Sequence, residues 1–310
     1  MTERDPVAIV VPPELGGERA DRIIAVTTGL SRSLARRIIE TGDAPGVGAP
    51  STRLAAGTEF AVRLPAPDPE LQPEPIPFEV AYESPEVIVV MKSAGIAVHP
   101  GAGRTAGTLA NGLIARFPEL ARLGEKYRWG LVHRLDRDTS GLLMVARTPA
   151  AHQQLQAELK ARRVGRTYLA LAVGRFDAST GTIEAPIGRD PRHPTRMAVV
   201  MDGRPARTHY RRLAEWDEVT LLEVTLETGR THQIRVHLAS IGSPLVGDRT
   251  YGGGQVTAGD PGRVWLHAAQ LRFSDPDGGR EVVVSAQLPS ELRGTLVALG
   301  TPLRGESPVG

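Results

Sequence analysis

A run of prolines limits what this chain can fold into. Between positions 65 and 77, six residues are proline: Pro65, Pro67, Pro69, Pro73, Pro75 and Pro77. Proline lacks the backbone N–H that a helix interior or a central strand requires, so such a segment stays extended. We therefore predict a small domain over 1–65, an interdomain linker over 66–77 and a larger domain over 78–295. We expect the polar end, 296–310, to be a flexible tail.

The composition is that of a globular protein without disulfides. With 310 residues, of which 41% are hydrophobic, the chain can bury the cores of two domains. The absence of cysteine excludes disulfides, thiolate nucleophiles and cysteine-ligated metal sites. No stretch approaches the ~18 uninterrupted apolar residues of a membrane span, and the polar N-terminus lacks the features of a secretory signal. We therefore expect a cytoplasmic protein with no membrane partner.

The first 65 residues predict a small α+β module. Asp21–Val26 begins one short helix, Ser31 is a candidate N-cap for a second helix, and Glu59–Leu64 alternates as a half-buried strand does. The second helix carries three arginines away from its apolar side: Arg32, Arg36 and Arg37. Such a pattern is typical of a solvated helix face and also of an RNA-binding surface.

The sequence of the larger domain predicts consecutive strands with few helices between them. The strand candidates are Val87–Met91, Gly141–Ala146, Thr167–Val173, Ala206–Leu213, Val219–Leu226, Val264–Phe273 and Val282–Gln287. The helix candidates are Leu109–Phe117, Ala150–Arg162 and Thr231–Ile241. Because consecutive strands argue against a doubly wound parallel sheet, we predict an α+β fold. Its sheet would be mixed and largely antiparallel, flanked by helices and crossed by a central cleft.

Residues 133–146 carry the strongest candidate for chemistry. They read His-Arg-Leu-Asp-Arg-Asp-Thr-Ser-Gly-Leu-Leu-Met-Val-Ala. Asp136 lies between arginines just before a strand, where neighbouring cations favour the ionised carboxylate. An ionised carboxylate at the edge of a cleft suits a nucleophile or a base, although the local pattern also fits an Asp that only binds turn amides. Asp138 is a second candidate in the same loop.

This segment resembles the H-R-L-D-x-x-T-[ST]-G-L-L signature of the RluA-type pseudouridine synthases. Other segments resemble further motifs of the family in the same order: Lys92–Gly101, Arg166–Tyr168, Glu227–His237, Pro244–Asp248 and Tyr251–Gly252. The resemblance covers roughly residues 15–290 and departs from the family pattern at Met91 and Ser93. It implies an enzyme that isomerises a uridine within RNA and needs no cofactor and no metal.

The resemblance also implies roles for individual residues. Asp136, rather than Asp138, would be the reacting carboxylate. Tyr168 would stack on the uracil and take part in moving the C5 proton, and Arg235 would pair with Asp136. From the local pattern alone, Tyr168 fits a core residue of a strand, and Arg235 fits either a solvent-facing or a functional position on a helix.

Substrate-binding roles follow from the same resemblance. Arg134 and His133 would contact RNA beside the flipped base, and Arg230 would contact a phosphate. The first domain resembles a small RNA-binding domain shared with a ribosomal protein, which implies that Arg32, Arg36 and Arg37 bind RNA. His232 and His237 are five positions apart and would face different sides of a helix, so they predict no metal site.

The sequence leaves the substrate open. Large-subunit ribosomal RNA is the first expectation and transfer RNA the second, because related motifs occur in enzymes with either target. Two other classes remain: a ribosome-assembly factor that binds RNA without catalysis, and a glycosidase-like hydrolase, which would need a second carboxylate that no motif supplies. We expect a monomer.

Overall fold

In a computed structural model the chain forms two compact units, residues 1–70 and residues 71–310. The structure describes residues 6–30, 32–64, 71–101, 106–253 and 261–308. The candidate N-cap Ser31 and the linker prolines up to Pro69 lie outside these ranges.

The N-terminal unit contains two helices and a two-stranded sheet. Its elements are β1 (Val7–Val10), α1 (Ala20–Thr28), α2 (Arg32–Glu40) and β2 (Glu59–Val62). β1 and β2 pair antiparallel, and apolar residues of both helices form the core beneath them. The predicted helices and strand of this unit are confirmed, whereas β1 was missed.

The C-terminal unit (71–310) holds the remaining elements. Its strands are β3 (Glu79–Glu83), β4 (Val87–Lys92), β5 (Ser140–Ala146), β6 (Gly165–Val173), β7 (Thr180–Glu184), β8 (Ile187–Arg189), β9 (Met197–Val199), β10 (Arg207–Glu215), β11 (Val219–Leu226), β12 (Leu266–Ser274), β13 (Glu281–Ser285) and β14 (Arg304–Gly305). Its α-helices are α3 (Leu109–Arg116), α4 (Pro149–Lys160), α5 (Gln233–Ser240) and α6 (Ser290–Leu299).

A ten-stranded mixed sheet forms the centre of this unit. Its main path runs β14-β10-β11-β6-β12-β5-β4-β3, with β13 beside β12 and β7 beside β10. The pairing of β12 with β5 is parallel, and the other described pairings of this sheet are antiparallel. The prediction of an α+β fold with a largely antiparallel mixed sheet is therefore confirmed.

Helices cover both faces of the sheet because its strands are apolar on both sides. In β5, Leu143 and Val145 contact the core that includes α3 and α5, while Leu142 and Met144 contact the core that includes α4. α6 closes the second face further along the sheet. Among the described residues, no helix is long and apolar enough to cross a membrane.

The predicted flexible tail is wrong for its described part. Leu296 lies in α6 and is 1% exposed, and Arg304–Gly305 pairs with β10. Glu215 at the end of β10 is 1% exposed and forms ion pairs with Arg175 and Arg212, the latter at 3.0 Å. Apolar burial and strand pairing therefore order this end of the chain, although its sequence is polar and contains Gly and Pro.

Candidate active site

The sheet brings the loop that carries Asp136 close to Tyr168. Asp136 lies just before β5, and Gly141 at the start of β5 pairs with Ala268 of β12. On its other side, Ala268 pairs with Tyr168 of β6. A single strand thus separates the start of β5 from Tyr168, a lateral distance of roughly 10 Å at ordinary strand spacing.

Gly141 is required for this close approach. Its φ is +119°, and a Cβ added to it would lie 2.3 Å from the carbonyl oxygen of Ala268. No other residue type fits between the two strands here. The glycine of the Thr-Ser-Gly part of the 133–146 segment is therefore explained by packing of the sheet, and Asp136 lies in the loop before it.

A cavity of about 830 Å³ opens beside this loop. Its walls include the three predicted catalytic residues and the three predicted substrate-binding residues of this unit: Asp136, Tyr168, Arg235, His133, Arg134 and Arg230. Tyr168 is 6% exposed and belongs to the core on the α5 side of the sheet. Burial raises the pKa of its phenol, so the hydroxyl is neutral near pH 7. Its ring is thus both a core residue and part of the cavity wall.

Arg235 links Asp136 to a second carboxylate. Its Nη1 lies 3.4 Å from Oδ2 of Asp136, while its Nε and Nη2 donate to both oxygens of Asp248 at 2.7 and 2.9 Å. The Asp248 side chain has no exposed surface. The two carboxylates raise the pKa of Arg235 against the effect of burial, so the guanidinium stays charged beside Asp136.

His232 approaches the other carboxylate oxygen of Asp136. It stands before α5 with a left-handed φ of +58°, which directs its Nε2 to 3.8 Å from Oδ1 of Asp136. Its Nδ1 lies 2.8 Å from the hydroxyl of Tyr251, whose ring contacts the Arg235 guanidinium at 5.0 Å. Burial is the main cause that lowers the pKa of His232.

Two basic side chains, one buried and one largely buried, hold the backbone that follows Asp136. The Lys92 amine donates at 2.9 Å to the carbonyls of Ser93, Ile96 and Arg137. The Arg263 guanidinium donates to the carbonyl of Asp138 at 3.0 Å and to the hydroxyl of Ser140 at 2.8 Å. Burial lowers the pKa of Lys92 to about 7, although Asp136 and Asp138 raise it. Despite Met91 and Ser93, the turn after β4 is therefore tied to the loop that carries Asp136.

Comparison with known proteins agrees with this geometry. A model of the RNA pseudouridylate synthase family matches residues 86–240. A relative from Chloroflexus aurantiacus, named an uncharacterized RNA pseudouridine synthase, is 47% identical over 94% of this chain and 93% of its own length. The chain belongs to the RNA pseudouridylate synthase family. It is an isomerase that converts uridine in RNA to pseudouridine.

Two further similarities extend this result. The ribosomal large subunit pseudouridine synthase D of Nitrosomonas europaea is 41% identical over 94% of this chain and 88% of its own length. The structure of human RNA pseudouridylate synthase domain containing 1 superposes with a TM-score of 0.56, at 32% identity, over 70% of this chain and 85% of its own.

The remaining predicted residues of the synthase cavity occupy different surroundings. Arg134 is exposed at the cavity. Nε2 of His133 accepts a hydrogen bond from the Met144 amide at 3.1 Å, so this ring also holds the loop that carries Asp136 against β5. Arg230 donates from Nε to the carbonyl of Pro205 at 3.1 Å, and burial lowers its pKa. These contacts leave Arg134 the most accessible of the three.

The three arginines of α2 are exposed in the N-terminal unit. Arg36 pairs with Glu40 one turn later at 2.7 Å. Arg32 pairs at 3.2 Å with Asp21, a buried acid whose pKa Arg19 and Arg32 hold at about 2 against the opposing effect of burial. The positive charges of Arg32 and Arg36 are therefore partly offset by carboxylates of the same unit.

Sequence reasoning missed several residues of the site. Asp248, His232 and Tyr251 stood in matched motifs, but no local pattern showed that they contact Arg235 and Asp136. The sequence pattern presents His232 only as a possible metal ligand together with His237, and their spacing predicts no metal site. His237 is buried between the Thr208 hydroxyl and the Ala185 carbonyl, at 2.8 and 3.0 Å, so the two histidines serve separate parts of the fold.

Proposed function

We propose that this synthase modifies uridines in large-subunit ribosomal RNA, with Asp136 as the reacting carboxylate. The observation that carries the assignment of Asp136 is its position on the cavity wall, 3.4 Å from the Arg235 guanidinium. The Arg235 guanidinium gives this carboxylate a charged hydrogen-bond partner at a site that is partly shielded from water. Tyr168 lines the same cavity.

The reaction needs a carboxylate and a closed pocket, and no external reactant. The bond between N1 of uracil and C1′ of the ribose breaks, the ring turns in the pocket, and C5 bonds to C1′. The C5 proton leaves while N1 gains a proton, so atoms and electrons balance. Asp136 acts in one of two ways: it attacks C1′, or it takes a proton from C2′ and returns it. Both routes need the ionised form beside Arg235.

Tyr168 is proposed to hold the detached ring. An aromatic face is a suitable platform for a base that has left its stack, and the neutral phenol can hydrogen-bond without adding charge. Arg134, exposed at the same cavity, is proposed to contact the RNA around the extruded nucleotide. We further propose that His133 and Arg230 contribute to this binding surface.

Similarity to proteins named for the ribosomal large subunit supports ribosomal RNA as the substrate. The relative from Nitrosomonas europaea is named for the ribosomal large subunit. The N-terminal unit is proposed to bind RNA through Arg32, Arg36 and Arg37, by attraction to phosphates. Transfer RNA is the alternative target. The proposal also includes a monomeric, cytoplasmic enzyme, which gel filtration and cell fractionation test.

The decisive experiment is position-resolved mapping of pseudouridine. Total RNA from cells with and without the gene should differ at one or more uridines of large-subunit ribosomal RNA, and loss at transfer RNA positions instead would overturn the substrate. Recombinant wild-type protein should restore the missing positions on RNA from the deletion strain.

Paired variants then test the carboxylate. Asp136→Asn should abolish product and leave RNA affinity within a few-fold, whereas Asp138→Asn should remain active, because Asp138 forms an exposed ion pair with Arg137. Full activity of Asp136→Asn would refute the assignment. Complementation of the deletion strain by that inactive variant would show that the biological role lies in RNA binding rather than catalysis.

A further inference from the structure

Arg166 is a buried cation on the wall of the cavity. It precedes Tyr168 by two positions in β6, so both side chains leave the same face of the strand. The residue is 8% exposed and lines the same cavity as Asp136. The sequence places it in the Arg166–Tyr168 motif, but the catalytic scheme above does not use it.

The described residues supply no anion for this charge. The Arg166 guanidinium donates from Nη2 to the carbonyls of Leu226 and Thr228, at 3.5 and 3.2 Å, and its buried Nε has no hydrogen-bond partner. The nearby Glu227 is already engaged by Arg162, Arg207 and His209. Because burying an unpaired charge is costly, buried arginines normally meet a carboxylate or a bound anion.

The residues around Arg166 make room for its positive charge but do not neutralise it. Burial and the positive charge of Arg166 lower the pKa of His133 to about 3, so this neighbour is uncharged near pH 7. A Cβ at position 229 would lie 2.7 Å from Nη1 of Arg166, so Gly229 leaves the space in which the guanidinium sits. The Glu-Thr-Gly-Arg motif around Gly229, just after β11, thus shapes the cavity for the arginine of the neighbouring strand β6.

We propose that Arg166 binds a backbone phosphate next to the target uridine, a subsite in addition to the residues that act on the base. The inference rests on the proposed function, because it takes the cavity as the place that receives the extruded nucleotide. A phosphodiester supplies the full negative charge that the surroundings lack, and the planar guanidinium matches its oxygens. The uracil ring is neutral, so it would leave the buried charge unpaired.

Binding measurements at several salt concentrations test this subsite. The probe is an RNA fragment that wild-type enzyme modifies, bound by each variant in the Asp136→Asn background so that no turnover interferes. Arg166→Gln should raise Kd about tenfold or more, as for a lost charge-assisted hydrogen bond. It should also make the slope of log Kd against log salt shallower by roughly 0.7 to 0.9, the value of one phosphate contact.

Gly229→Ala provides a second variant that keeps the arginine. Its new methyl group would displace the guanidinium, so Kd should rise and the salt slope should fall in the same direction. Arg211→Gln is the matched control, because Arg211 pairs with Glu223 on the opposite face of the sheet at 2.9 Å. It should change neither quantity.

Three results would overturn the proposal. If Arg166→Gln leaves the salt slope unchanged but, in protein with Asp136 intact, reduces the single-turnover rate at saturating RNA, the guanidinium contacts the uracil instead. An unchanged Kd with a lower unfolding temperature would indicate a clamp for the Leu226 and Thr228 carbonyls. Wild-type affinity in Gly229→Ala would show that the position of the guanidinium is irrelevant. If wild-type enzyme forms no pseudouridine, the proposed function fails, whereas the subsite fails only through these binding results.

Discussion

Arg235 is held more closely by Asp248 than by Asp136. Two of its nitrogens donate to Asp248 at 2.7 and 2.9 Å, whereas its Nη1 lies 3.4 Å from Asp136. Because the Asp248 side chain is fully buried, it fixes the orientation of the guanidinium, and Nη1 is left to face Asp136. We therefore propose Asp248 as a positioning residue that acts through Arg235.

Asp248→Asn should separate catalysis from binding. The amide keeps the shape of the side chain but removes the buried countercharge, so Arg235 should reorient towards Asp136. We expect the single-turnover rate at saturating RNA to fall by about tenfold or more, since a bidentate charge-assisted contact is lost. The Kd for RNA should stay within a few-fold. If RNA affinity and the single-turnover rate fell by the same factor, the variant would be misfolded as a whole. Thermal unfolding of Asp248→Asn and of Asp248→Glu would identify such misfolding.

Gly141→Ala should disrupt the junction between β5 and β12. Its Cβ would meet the Ala268 carbonyl at 2.3 Å in a backbone with φ of +119°. We expect a loss of several kcal/mol in the free energy of unfolding, more than the roughly 1 kcal/mol typical of φ strain alone, together with loss of activity. Gly174→Ala is the control, because its φ is also positive and the nearest neighbouring atom would be 3.8 Å away. Similar losses for both variants in urea unfolding would contradict the role of the close approach.

Arg263→Lys should loosen the loop after Asp136. The two terminal nitrogens of the Arg263 guanidinium donate to the Asp138 carbonyl and the Ser140 hydroxyl at the same time. The single ammonium of a lysine cannot reproduce this pair of hydrogen bonds. We expect faster hydrogen exchange at the Thr139 amide, which donates to the Asp136 carbonyl at 3.2 Å, and a lower rate with little change in RNA affinity. Glu291→Gln removes the exposed partner of Arg263 at 3.0 Å and should leave the Thr139 exchange rate near that of wild type.

His267 should make the fold sensitive to acid. Its ring is fully buried beside Ser140, and burial lowers its pKa from 6.5 to about 4. Between these two values the unfolded chain takes up a proton that the folded chain does not, so stability is lost as the pH falls from 6.5 towards 4. The loss between pH 7 and pH 4.5 should be about 2 kcal/mol. Urea unfolding of wild type and His267→Asn should differ in this pH dependence; identical dependence would show that His267 does not contribute.

Much of the central fold could be predicted from local pattern. β4, β6 and β11 were predicted because their apolar and β-branched residues form runs that only a buried strand accommodates. β7, β8 and β9 were missed because they are short, partly exposed strands with little apolar alternation. α6 was missed because its sequence, with Gly294 inside it, gives a weak helical signal that packing of Leu292 and Leu296 outweighs.

The sequence by itself determined the family motifs, the α+β class and the identity of Asp136, Tyr168 and Arg235 as candidates, because these depend on residue type and order along the chain. The tertiary structure decided which groups meet. It joined Asp248 to Arg235, His232 to Asp136, and the Lys92 and Arg263 cations to the carbonyls of one loop. Such contacts connect residues far apart in the chain, and their distances follow from strand order and packing, which no local pattern encodes.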